Sequence, residues 1–138
     1  MRRLTDGNIV NLVEDDAGAS ALELAILLPV LLAIILGICE FGRALWTVTT
    51  LQSAVEAAAR CAAINVANCT PDVPTFAANR TGAIGARPNE FQYTANQSCG
   101  ATGHTTGALV SVSHVFTPLV PALIPGLPIT LTAKSCHP

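Results

Sequence analysis

The sequence predicts an α+β fold: one long N-terminal helix, membrane-spanning in its first half and amphipathic in its second, followed by a small antiparallel sheet of about three strands. Three observations carry that reading. The run Leu24 to Cys39 holds no charge. From Glu40 to Asn65 there is no proline, alanine is abundant, and apolar residues recur at steps of three and four. Beyond Asn65, turn residues separate short segments in which apolar and polar side chains alternate. The first two patterns belong to helices and the third to half-buried strands.

Composition sets the frame. Of 138 residues, 51% are hydrophobic, 12% are charged and the formal net charge is −2. That apolar share excludes a disordered chain. The slightly acidic balance argues against nucleic acid as a partner. Residues 1–18 are polar and mixed, with Arg2 and Arg3 set against Asp6, Glu14, Asp15 and Asp16. They read as a leader with no core of its own.

Residues 19–39 read as a transmembrane helix, with Glu23 as their one ionisable group. A span needs roughly 20 mainly apolar residues to cross ~30 Å of hydrocarbon. A domain this small could hardly surround a helix that is apolar on every side. The segment is too long for the apolar region of a cleaved secretory signal, and an acidic leader precedes it. Pro29 and Gly37 lie inside it, and Pro29 is read as a kink.

The helix is expected to run from about Ala19 to Ile64, with residues 40–65 as its amphipathic extension. Phe41, Leu45, Val48, Leu51, Val55, Ala58 and Ala62 form the expected apolar face. Glu40 with Arg43, and Glu56 with Arg60, have the spacing of helical ion pairs.

Residues 66–138 read as a small exported β domain. Asn68, Pro71, Pro74, Gly82, Gly85 and Pro88 mark loops. Phe91 to Thr94 is the first expected strand, with Asn96 to Gly107 as loop. Leu109 to Phe116 is the second, with Val110, Val112 and Phe116 on one side. Thr117 to Pro128 holds four prolines and reads as a stiff connector. Ile129, Leu131 and Ala133 alternate with polar residues in a closing strand.

Five cysteines are present. Cys39 reads as a small apolar residue at the membrane boundary. Four cysteines beyond the span point to two disulfides in an oxidising compartment, with three possible connectivities. The favoured pairing is Cys61–Cys69, stapling the helix end, with Cys99–Cys136, tying the last strand to the sheet. If the four are oxidised, the C-terminal domain faces the exported side and the N-terminus is cytoplasmic. No C-x-x-C pair suggests a metal, and no motif suggests a cofactor. His104, His114 and His137 lack the company a catalytic residue needs.

The segment Gly18-Ala19-Ser20-Ala21-Leu22-Glu23 resembles prepilin-like processing sites. In those, the leader ends in Gly and Glu is the fifth residue of the mature chain. More closely, the chain resembles the TadE-like family of the tight-adherence (Flp-type) pilus systems. The resemblance rests on Ala21 to Leu32, with Glu23 and Pro29 in their family places. It rests further on Gly37 to Leu45 with Ala57 to Arg60, and on Val110 to Ser113, Phe116 to Leu119 and Leu131 to Ser135. It implies a pseudopilin or minor pilin in the bacterial inner membrane with a periplasmic domain. It also implies cleavage between Gly18 and Ala19 by a prepilin peptidase. The implied partners are membrane lipid, other pilus subunits and assembly-platform proteins. The alternative from the residues alone is a single-span, membrane-tethered binding or scaffold domain without a pilus role.

Overall fold

Helix α1 runs over Asp16–Asn65 in the computed structural model, which describes residues 16–99, 105–119 and 128–138. Most of the leader and residues 120–127 of the connector therefore lie outside the described residues. The chain divides into two units, Met1–Cys39 and Glu40–Pro138.

The described part of the first unit is helix. Leu22, Ile26, Leu27, Val30 and Ile34 are exposed, and α1 continues through Pro29 without a break. This is one helix long and apolar enough to cross a membrane, and none of its most apolar window is buried against the rest of the chain.

In the second unit, α1 is followed by helix α2, Val73–Thr81, and by strands β1, Phe91–Cys99, β2, Thr105–Phe116, and β3, Ile129–His137. The strands form one antiparallel sheet in the order β1-β2-β3. Phe91 pairs with Val112 across the first ladder, and Val112 with Ala133 across the second. Val110, Val112 and Phe116 are buried on one side of β2, as their alternation requires. They pack into one core with Leu51, Ala54, Val55, Ala58, Ala59 and Ala62 of α1 and with Val73 and Ala77 of α2. Alanine on the helix lets its backbone approach the sheet closely.

The structure departs from the sequence reading at four places. Residues 73–81, read as loop, form α2. Asp72 caps it, accepting the Thr75 N–H at 2.8 Å, and Pro74 sits in the first turn, where no N–H is required. Only nine residues long, α2 was too short for its periodicity to register.

Strand β1 extends to Cys99, past the expected end at Thr94. The register shifts between Thr94 and Gln97, and Asn96 there takes φ 56°, a conformation Asn tolerates better than most residues. The bulge interrupts the alternation that would otherwise mark a strand.

Ile129 is exposed and Leu131 half-buried, so of the expected inward face of β3 only Ala133 is buried. β3 is an edge strand, with no neighbour on its outer side among the described residues.

The fourth departure concerns the face of α1. Phe41 is 66% exposed and Leu45 and Val48 are exposed too, whereas Glu40 and Thr47 are buried. At ~100° per residue, Glu40, Thr47, Leu51, Ala54 and Ala58 share one stripe, and Phe41, Leu45 and Val48 lie roughly 100° round from it. A strict seven-residue step drifts by ~20° each heptad, which led the expected face off the buried one.

Candidate assembly site

The candidate site residues lie on α1. Gly18 and Ala19 are the third and fourth described residues of α1, which is described from Asp16 onward. Glu23 stands at i+4 from Ala19, so the two occupy the same helix face one turn apart. Glu23 is exposed, among exposed leucines and isoleucines. A carboxylate in such surroundings is costly in hydrocarbon without a partner.

Glu40 follows the last residue of the charge-free run. Glu40 is 8% exposed, and its carboxylate accepts from two groups. Oε1 accepts from Arg43 Nη2 at 2.6 Å, one turn along the helix, and from the main-chain N–H of Leu119 at 2.9 Å. Arg43 Nη2 also donates to the Thr117 carbonyl at 2.6 Å, and the guanidinium lies 4.3 Å from the centre of the Phe116 ring. The hydrogen bond from Arg43 holds the Glu40 carboxyl below its ordinary value. Burial opposes this, and the Leu119 N–H and the Arg43 charge add to it. The two side chains thus clamp residues 117–119 onto α1.

Sequence spacing gave the Glu40–Arg43 pair but not its attachment to a segment far along the chain. The one hint was a carboxylate at the edge of an apolar run, where a partner is to be expected.

A second pair joins the sheet to the turn before it. His114 Nδ1 lies 2.6 Å from Glu90 Oε2, and both side chains are half-buried. Glu90 also accepts the Arg87 N–H, closing the short helical turn that enters β1. His137 lies against the Pro138 carbonyl at 3.2 Å.

Cys61 is joined to Cys69 and Cys99 to Cys136, with Cα–Cα separations of 6.0 and 5.6 Å. The first bond ties the last turn of α1 to the segment leading into α2. The second ties the two outer strands to each other. Cys39 is free and exposed.

Residues 18–60 match the family model described as TadE-like protein. The TadE-like segment is α1 from Gly18 to Arg60. It takes in Gly18, Glu23, Pro29, the Glu40–Arg43 pair and the helix side of the core except Ala62. It includes the first two blocks of the sequence resemblance and none of the sheet. No curated protein and no solved structure matches the chain.

Proposed function

We propose that this chain is a membrane-anchored structural subunit, of pseudopilin or minor-pilin type, in the assembly of a tight-adherence (Flp-type) pilus. The observation that supports it is the TadE-like match, which opens at Gly18 and includes Glu23 on the same apolar helix. Residues 19–39 cross the bacterial inner membrane once, the leader 1–18 is cytoplasmic, and residues 66–138 lie in the periplasm with their disulfides.

A prepilin peptidase cuts between Gly18 and Ala19. The cut removes the acidic leader and creates an α-amino group at Ala19. That ammonium and the Glu23 carboxylate of a neighbouring subunit then compensate each other as helices pack in lipid, where an unpaired charge is costly. Glu23 thereby sets helix register during assembly, and the partners are other pilus subunits and the assembly platform.

The mass of the membrane-extracted protein tests the processing step. A chain starting at Ala19 is expected, and a chain starting at Met1 in cells that make the pilus overturns it. Glu23→Ala tests the assembly role: the variant is expected to insert normally and to abolish piliation. Normal piliation would remove Glu23 from the mechanism.

A second reading is favoured by one observation: the family match ends at residue 60, leaving the sheet unmatched. On that reading the sheet is a tethered binding or scaffold domain, and the chain keeps Met1.

A further inference from the structure

The apolar groups left exposed around the Glu40–Arg43 clamp share a position in the chain. Phe41, Leu45 and Trp46 follow within seven residues of Cys39, the last residue of the charge-free run, and each is at least half exposed. Leu119 is 77% exposed, yet its N–H is held by the Glu40 carboxylate, one residue after that run. Trp46 and Val115 line one open groove of about 570 Å³ together with Arg43 and Thr117. A helix segment and the end of a strand thus present apolar side chains at the same level.

We propose that Phe41, Leu45, Trp46 and Leu119 form a collar that sits in the interfacial layer of a phospholipid bilayer. The inference rests on residues 19–39 spanning the membrane. The interfacial layer adds about 5–7 Å to each side of the hydrocarbon core. Seven residues of helix rise ~10 Å, and helical side chains lean toward the helix N-terminus, here toward the span. The Trp46 indole therefore falls at headgroup level, where an aromatic body with one N–H donor is favoured. The clamp suits that layer, because the charges of Glu40 and Arg43 are paired at 2.6 Å. It also brings Leu119 to the same depth without leaving a main-chain N–H unsatisfied.

Trp46 is the only tryptophan in the chain, so the protein carries its own depth probe. The full chain is reconstituted into phosphatidylcholine vesicles whose acyl chains are brominated near the headgroup or near the bilayer centre. The expected result is blue-shifted Trp46 emission that loses most of its intensity to the shallow bromine, little to the deep one and little to aqueous iodide. Leu119→Trp in a Trp46→Phe background is expected to behave the same way. Iodide quenching without bromolipid quenching at either position overturns the collar. So does a blue shift at Trp46 that disappears on dilution with lipid, which would assign the surface to contact between copies of the chain. Ile34→Trp, also in a Trp46→Phe background, distinguishes the collar from the span. Deep-bromine quenching there with an aqueous Trp46 sinks the collar alone. Iodide quenching at Ile34→Trp sinks the membrane span itself.

Discussion

The Glu40 carboxylate accepts the main-chain N–H of Leu119 at 2.9 Å, across 79 residues of sequence. The segment leaving β2 is thereby fixed to the helix by a side chain whose charge Arg43 balances.

Glu40→Ala is expected to lower the thermal midpoint of the sheet-bearing unit, because it removes the counter-charge of Arg43 and the acceptor of the Leu119 N–H. Glu40→Gln is expected to do so by less, since an amide oxygen can still accept. The pH dependence follows from the lowered carboxyl of Glu40. Its contribution is complete above the ordinary value of 4.5 and is lost as pH falls below that through the folded-state value. Thermal unfolding of the detergent-solubilised protein across that range is expected to show a steeper acid loss in the wild type than in Glu40→Gln. Parallel pH profiles would remove the ion pair from the stability of the unit.

The two disulfides close loops of different size, with sequence separations of 8 and 37 residues. Loop-closure entropy assigns them roughly 2.6 and 3.9 kcal/mol respectively. The double variant Cys99→Ser/Cys136→Ser is therefore expected to be the less stable of the two pair deletions by denaturant titration. The reverse order would show that the helix-end staple relieves more than chain entropy.

A Cβ added at Gly107 would collide with the backbone carbonyl of His137 on the neighbouring strand. The Cβ is fixed by its own backbone and meets main chain, so no rotamer change relieves the clash. Gly107→Ala is expected to cost about 1–3 kcal/mol, in the range of overpacking. An unchanged denaturation midpoint would mean the ladder ends differently there.

Leu51 is 0% exposed and Phe41 is 66% exposed on the same helix. Leu51→Ala is expected to destabilise the unit by about 2–5 kcal/mol, as for other buried leucines. Phe41→Ala in detergent is expected to change little. Equal losses would restore Phe41 to the buried face that a seven-residue reading of α1 suggests.

Much of this fold is legible in the residues because single chemical tendencies dominate there. A charge-free run of this length is long and apolar enough to cross a membrane, and Val110, Val112 and Phe116 alternate without interruption. What was not legible depends on contacts between distant parts of the chain. The buried positions of Glu40 and Thr47 run against side-chain polarity and make sense only with Leu119 and Arg43 in place. Helix α2 is announced by Asp72 and Pro74, but Gly82 and Gly85 close behind it read equally well as loop. The bulge at Asn96 hides the second half of β1. Gly18, Glu23 and Pro29 form a linear pattern that can be read directly, and all three lie inside the TadE-like match. The Glu90–His114 pair spans 24 residues and carries no local signal.

The Cys99–Cys136 bond has a mechanical consequence. In the proposed pilus role the chain would bear tension along its length, and what yields under tension is contour length. At about 3.4 Å per residue, the 37 residues enclosed by this bond amount to roughly 125 Å of chain. While the bond is oxidised that length cannot be drawn out, so a stretched molecule passes load directly from β1 to β3. Reduction would convert the same domain from a short link into an extensible one.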